Sequence, residues 1–384
     1  MSYKVDLSIA VHPLKKVYLS VINDLVVDHR VHKMATTLLN VGADVTLIGR
    51  RFAMSQSVSD RPYKTIRFKL LFKRGFLFYA FFNVRLFFYL LFAKKGILVS
   101  NDLDTLPANF LISRIRNLSI VYDSHEYFTE VPELLNRGFV RRIWLKIEGS
   151  IVPRLNHIIT VSESIAVEYN RIYGKNVEVI RNLPSNAGKE ARRPDELECG
   201  PKRVIIYQGS LNMGRGIEEM IRAMQYLEQF VLQIFGDGLL KKILRRLASE
   251  MNVADRVQFM GRIPFGELKK YTRQASVGIS LERNIGRNYY YALPNKLFDY
   301  IHAQVPVLVS DLPEMRKIVE SYDVGVVSDT YEPEKLANII TNMMDNHELR
   351  EKWKKNLRVA VKELNWENQE EKIISIYRSA GLSV

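Results

Sequence analysis

The segment from Leu281 to Ser310 reads LERNIGRNYYYALPNKLFDYIHAQVPVLVS, and its chemistry gathers at Pro294, Asn295, Lys296, Leu297 and Asp299. A proline in the first helical turn is preorganised and gives up only a donor that would stay unpaired. The N–H groups after it, from Asn295 and Lys296 onward, point out of the helix start and form a site for an anion. Lys296 adds a full positive charge suited to a diphosphate, and Asp299, one turn on, can accept from ribose hydroxyls. The same residues fit an ordinary proline-started helix with a solvent lysine and a local aspartate cap.

A second constellation is GSLNMGRG, Gly209 to Gly216, directly after the apolar run RVIIY. A strand that empties into a glycine-containing turn and then an amphipathic helix presents the turn at the carboxyl end of a sheet, where doubly wound folds bind ligands. Arg215 can pair with phosphate oxygens in a fork geometry that lysine lacks. Gly236-Asp237-Gly238 after VLQIF repeats the arrangement. Neither stretch matches a full dinucleotide fingerprint, and a solvated arginine on a plain turn reads equally from the residues.

The third is YDSHEYFTE, Tyr122 to Glu130, after SIVY. Asp123, His125 and Glu126 suit acid–base work, or the imidazole can donate to a sugar hydroxyl. A loop histidine with capping carboxylates fits as well. Asp102-Leu103-Asp104 has the spacing that holds a divalent metal in some single-domain sugar transferases. The two-part organisation of this chain argues against that role, and neither an HExxH nor a paired CxxC occurs. No metal site is expected.

The elements that must position these residues follow from the patterning. β-Branched runs alternate with amphipathic stretches, which predicts parallel α/β architecture. Val17–Ile22, Asp44–Ile48, Gly96–Ser100, Ser119–Tyr122, His157–Val161 and Val177–Ile180 read as strands, and His29–Val41 as a helix. Asn182 to Lys202 carries three prolines, two glycines and no apolar period, the mark of a linker. The alternation restarts at Arg203–Tyr207 and continues through Val231–Phe235, Val257–Phe259, Val277–Ser280 and Val305–Val309. Pro333–Tyr377 reads as helical. The expected domains are 1–183, a linker at 184–202, 203–365, and a helix at 366–384 packing back toward the first.

At 384 residues the chain exceeds what one core usually organises. Its single cysteine, Cys199, forms no internal disulfide, which fits a reducing compartment. No signal peptide is read at the start, so a cytoplasmic protein is expected. The net charge of +14 favours anionic partners. Residues 61–96 hold nine Lys or Arg, twelve aromatics and no acid. The apolar run from Phe76 to Phe92, broken by Asn83 and Arg85, is too polar for a spanning helix and suits a segment resting on anionic lipid. It also fits aromatics that fill a core beneath solvated charges.

These residues resemble the family 4 retaining glycosyltransferases, of the kind acting in bacterial surface polysaccharide assembly. GSLNMGRG is similar to the family's G-R-L-x-x-x-K-G turn, with Arg215 at the phosphate-binding lysine and Ser210 at its arginine. VQFMGRIPFGELKKYTRQASVGISL resembles the V-x-F-x-G segment, whose backbone near Arg262 and Ile263 meets the base. LPNKLFDYIHAQVPVLVS resembles the E-x7-E stretch, with Asp299 at the ribose-binding acid and Tyr291 where a glutamate meets the donor sugar. Asn288 or Glu282 is then expected to take over sugar recognition. YDSHEYFTEVPEL resembles the D-x-H-E segment, with His125 at the histidine that approaches the sugar, and VINDLVVDHRVHKMATTLLNVGADVTLIGR the acceptor-facing strand, loop and helix.

The resemblance implies the GT-B fold, two Rossmann-like domains with parallel sheets facing a central cleft and a C-terminal helix crossing back. It implies retaining transfer from a nucleoside diphosphate sugar, UDP favoured over GDP, to a glycan or lipid-linked acceptor. His125, Arg215 and Lys296 are the expected catalytic residues. Gly209, Ser210, Arg215, Gly236, Arg262, Ile263, Asn295, Lys296, Leu297 and Asp299 are expected to bind the donor. No cofactor and no nucleic acid are expected; an anionic membrane surface at the inner face of the cytoplasmic membrane is. Two other readings remain open: a sugar-nucleotide 2-epimerase of the same architecture, which needs no acceptor, and a non-enzymatic binder of anionic surfaces, which donor-induced stabilisation would argue against.

Overall fold

The computed structural model describes residues 16–26, 28–52, 55–72, 75–135, 137–186 and 203–383. Cys199 and the greater part of the expected linker lie outside the described residues, as do Lys73 and Arg74. The first unit holds β1 (Lys16–Asp24), β2 (Asp44–Arg51), β3 (Lys64–Lys69), β4 (Gly96–Asn101), β5 (Ile120–Ser124), β6 (His157–Thr160) and β7 (Glu178–Val179). All pairs are parallel, in the order β3-β2-β1-β4-β5-β6-β7.

The second unit holds β8 (Arg203–Gln208), β9 (Phe230–Phe235), β10 (Val257–Gly261), β11 (Val277–Ser280), β12 (Val307–Ser310) and β13 (Gly325–Ser328). These too are parallel, ordered β10-β9-β8-β11-β12-β13. In both sheets the order reverses beside the first strand, the topological switch point where a doubly wound sheet binds its ligand. The pairing of two such sheets is the GT-B architecture.

Helices cover both faces of each sheet, so the central strands are apolar runs without alternation. In β1, Val17, Leu19 and Val21 face the core formed with the helix His29–Asn40, while Tyr18 and Ile22 face the helix Phe76–Phe92. Two strands escape the sequence reading. β3 is an edge strand whose residues are mostly part-exposed, and β13 is only GVVS. The helical tail divides into Pro333–Asp345, His347–Glu363 and Glu367–Ser379.

The helix Glu367–Ser379 packs on the first unit. Ile373 and Tyr377 join Val31, Met34 and Leu38 in one apolar cluster. Trp366, 2% exposed, opens the crossing. Its indole Nε1 donates to Thr37 Oγ1 at 2.9 Å, and that hydroxyl donates to Glu370 Oε1 at 2.7 Å. Pro184 O accepts from Trp366 N at 2.9 Å, so the outgoing and returning chain segments are tied together. Replacing Trp366 by alanine opens a large cavity and strands Thr37. The expected loss is about 3–5 kcal/mol, read as a lowered urea midpoint of the transition.

Candidate active site

A cavity of about 350 Å³ lies between the carboxyl ends of the two sheets. His125, Glu126, Val161 and Ile165 line it from the first unit. Tyr207, Gln208, Gly209, Ser210, Arg215 and the run Asn288–Lys296 (Tyr290 excepted) line it from the second.

The second unit's wall is organised by one carboxylate. Glu282, two residues past β11, is fully buried. Ser280 Oγ donates to its Oε2 at 2.7 Å. Lys296 Nζ lies 2.7 Å and Arg215 Nη1 3.5 Å from its Oε1. Burial alone would raise the Glu282 carboxyl, but the two cations hold it below its usual range. Burial pulls the Lys296 ammonium down, with Arg215 adding to that and Glu282 opposing it. Aromatic rings complete the seat: Lys296 Nζ is 4.1 Å from the centroid of Tyr207, and the Arg215 guanidinium 4.7 Å from that of Tyr289.

This places Lys296 away from bulk solvent, at 7% exposure. It also corrects the expectation that Glu282 recognises a sugar. Its carboxylate is enclosed and committed to the two cations, so it positions them and presents nothing to the cavity. Leu297 is core, and its N–H is bonded to Pro294 O at 3.1 Å. Asn295 and Lys296 are left as the first-turn donors toward the cleft.

The turn residues are close because glycine allows it. Gly209 and Gly236 have φ of 145° and 138°, and a Cβ on Gly236 would stand 1.8 Å from Gly209 O. Arg262 and Ile263 follow β10 outside the cavity lining, and Gly236, Leu297 and Asp299, the last in the helix Asn295–His302, lie outside it too. Asp299 Oδ2 accepts from Gln208 Nε2 at 2.9 Å, and Gln208 Oε1 accepts from Thr272 at 3.0 Å. Burial pushes the Asp299 carboxyl up to about 6 against the opposing charges of Lys33 and Lys269. Lys33, from the first unit, is itself pulled down to about 7, chiefly by burial and then by Arg30. It donates to Asn182 Oδ1 at 2.8 Å and stands 4.8 Å from the Trp366 ring centroid. Sequence reasoning missed Lys33 and Gln208, which carry no local motif.

On the opposite wall His125 sits between two carboxylates. Asp102 Oδ2 is 3.4 Å from Nδ1, and Asp123 Oδ2 is 3.5 Å from Nε2. Asp102 Oδ1 also accepts from the His125 backbone N–H at 2.8 Å. Asp123 is held by Arg30 through two bonds, Nε at 3.1 Å and Nη2 at 2.7 Å. Burial by itself would lower the imidazole, but the two aspartates raise it to about 9. A carboxylate at each nitrogen favours the protonated ring, a cation rather than a general base, although burial also raises the Asp102 carboxyl.

Polar contacts join the walls. Asn288 Oδ1 accepts from Tyr127 N at 2.9 Å, and Tyr291 OH donates to Glu168 Oε1 at 3.1 Å. Asn288 is thus engaged with the His125 loop, and the Tyr291 hydroxyl is turned to the first unit.

Residues 188–360 match the family model of glycosyl transferases group 1. The alpha-D-kanosaminyltransferase of Streptomyces kanamyceticus is 23% identical over 292 residues, 71% of this chain and 74% of that one. The sucrose-phosphate synthase of Thermosynechococcus elongatus superposes with a TM-score of 0.78 at 19% identity, over 95% of this chain and 98% of that one. HepE of Anabaena, solved in complex with UDP-glucose, gives a TM-score of 0.76 at 13% identity, over 95% and 100%.

The raised pKa of His125 sets a pH test. A group raised on folding stabilises fully below its unfolded value of 6.5, and that contribution disappears as pH rises through about 9. Urea denaturation of wild type and His125→Gln is expected to show the larger stability gap at pH 6 and a much smaller one at pH 10. An equal gap at both would show that the imidazole is neutral.

Proposed function

We propose that this chain, which is a glycosyltransferase of GT-B architecture, moves a sugar from a nucleoside diphosphate sugar to a glycan or lipid-linked acceptor with retained anomeric configuration. UDP is the favoured nucleotide and surface polysaccharide assembly the setting. The observation that carries the reading is the pair Lys296 and Arg215, fixed on one buried carboxylate beside a helix start at the switch point of the second sheet. Their geometry is set before the ligand arrives, so the charges require little reorganisation as the diphosphate departs. That HepE of Anabaena, of like fold, was solved in complex with UDP-glucose agrees with that reading.

In the reaction the bond from the sugar C1 to the diphosphate oxygen breaks, and a bond from C1 to the acceptor oxygen forms on the same face. The acceptor's proton passes to the departing phosphate oxygen. Lys296, Arg215 and the N–H groups of Asn295 and Lys296 stabilise the charge on that diphosphate. His125, held between Asp102 and Asp123, faces the donor sugar from the other wall as a positive charge. Asp299 with Gln208 faces the ribose. The ties between the walls exclude water from the cavity and disfavour hydrolysis.

We place the protein at the inner face of the cytoplasmic membrane. No helix among the described residues is long and apolar enough to cross a membrane. The helix Phe76–Phe92 nonetheless leaves Leu77, Val84, Phe88 and Phe92 exposed on its outer side, with Lys94 and Lys95 exposed just beyond. That combination suits a surface segment on anionic lipid.

Arg215→Ala is expected to weaken nucleoside diphosphate binding by about 1.5–3 kcal/mol, roughly ten- to more than a hundredfold, by calorimetry. Unchanged affinity would overturn the diphosphate site. Product analysis with donor alone is expected to give no epimer of the donor sugar; an epimer formed without acceptor would replace transfer by epimerisation. For the membrane, co-sedimentation is expected with anionic vesicles, only weakly with neutral ones, and with partial release by salt. Lys94→Glu with Lys95→Glu is expected to lower vesicle binding while nucleotide affinity stays unchanged.

A further inference from the structure

At the carboxyl end of β2, Arg50 has surroundings that the donor chemistry does not use. Its guanidinium lies between two rings, 4.0 Å from the centroid of Phe52 and 4.8 Å from that of Phe78. Its Nε is buried without an acceptor, and among the described residues the Arg50 side chain forms no hydrogen bond or ion pair. The carboxylate paired opposite it in the sheet register, Asp24 on β1, is already engaged. Asp24 Oδ1 accepts from Arg67 Nη2 at 2.7 Å and from Val26 N at 3.3 Å, and Oδ2 accepts from Ser55. Arg50 therefore holds a stacked, partly dehydrated cation whose buried Nε is unfilled. Native structures seldom leave such a group without a partner unless a ligand supplies one.

A second unfilled group stands between Arg50 and the donor cavity. Asp104 is 6% exposed, and its Oδ1 has no partner. Its carbonyl is fixed by Asn83 Nδ2 at 2.7 Å. Its carboxyl feels Asp102 and His125 on one side and Arg50 on the other, and burial with the charge of Asp102 holds it well above the usual range. On the far side of Arg50 the surface turns apolar. Phe52, Leu71, Phe72 and Phe76 are all exposed, Leu71 and Phe76 by 80% and 74%. Apolar rim, unfilled guanidinium, unfilled carboxyl and His125 thus follow one another along the carboxyl edge of the first sheet.

We propose that Arg50 binds a phosphate group of the acceptor, whose apolar part rests on the Phe52–Leu71–Phe72–Phe76 rim and whose sugar reaches Asp104 and the donor cavity. The assignment rests on the transfer reaction proposed above. It makes the acceptor an anionic amphiphile, with the phosphate supplied by a lipid carrier; a soluble glycosyl phosphate shares the chemistry and is separated by the test.

The test is calorimetric binding to the whole chain with UDP at saturation, so that the donor's diphosphate site is filled. The probes are farnesyl diphosphate, glucose 1-phosphate and octyl glucoside, each with wild type, Arg50→Gln and Arg50→Lys. Farnesyl diphosphate is expected to bind wild type more tightly than octyl glucoside does. Arg50→Gln is expected to weaken it tenfold or more, and Arg50→Lys less. Glucose 1-phosphate binding as tightly as farnesyl diphosphate, with the same dependence on Arg50, would confirm the phosphate site and assign its source to a soluble phosphate. Equal binding of farnesyl diphosphate to wild type and Arg50→Gln, or no preference over octyl glucoside, would overturn the proposal. UDP affinity is measured first in every variant and is expected to be unchanged, which confirms a folded protein. A wild type that does not bind UDP would instead sink the proposed donor reaction.

Discussion

A carboxylate buried without water must be neutralised, and Glu282 imposes that condition on the second unit. Leaving its charge unpaired would cost several kcal/mol even after relaxation. Two cations answer it, from loops far apart in sequence: Arg215 from the turn after β8 and Lys296 from the helix start after the tyrosine-rich loop. Because both are drawn to one point, the turn and the helix start are held together at the end of the sheet. The arrangement leaves one negative charge against two positive ones, so the wall keeps a net positive charge toward the cavity. That net positive charge is what an anionic ligand would meet there.

The first unit solves a related problem with the opposite sign. Asp102 and Asp123 both face one ring, and Arg30 neutralises Asp123 from behind. The imidazolium lies between charges that fix both its orientation and its protonation. With the Lys296–Arg215 pair across the cavity, both walls carry positive charge, and Glu126 is the carboxylate in the first unit's lining, 3.5 Å from Asn288 Nδ2.

The fold class was legible because both sheets are buried on two faces, which writes each central strand as an apolar run such as VYLSVI or RVIIY. β3 was hidden because KTIRFK, at a sheet edge, alternates with charge and sits within a segment dominated by basic and aromatic residues. In the site, the turn GSLNMGRG and the start PNKLF announce themselves locally through glycine and proline. The binding partner of Lys296 does not. Glu282 stands 14 residues earlier, and nothing in its neighbourhood separates a buried anchor from an exposed sugar ligand. Lys33 and Gln208 were illegible for the same reason, since each gains its role from a contact across the cleft or across the sheet. The aromatic stretch was two things at once. Phe78, Phe82, Leu86 and Leu90 fill the core while Leu77, Val84, Phe88 and Phe92 face outward, and a helix of nearly uniform hydropathy gives no period to tell them apart.

The two units are joined in different ways on their two sides, and that difference bears on how the cleft works. At the crossing, Trp366 and Tyr377 are buried in the first unit's core, and Pro184 is tied to Trp366 by backbone. Across the cavity mouth the ties are polar: Tyr127 to Asn288, Tyr291 to Glu168, and Arg287 to Glu168 at 3.7 Å. Burying apolar area stabilises a contact against separation far more than exposed ion pairs and single hydrogen bonds do. The polar contacts at the mouth therefore resist separation less than the apolar crossing around Pro184 and Trp366 does. Tyr291 belongs to these polar ties through its hydroxyl on Glu168.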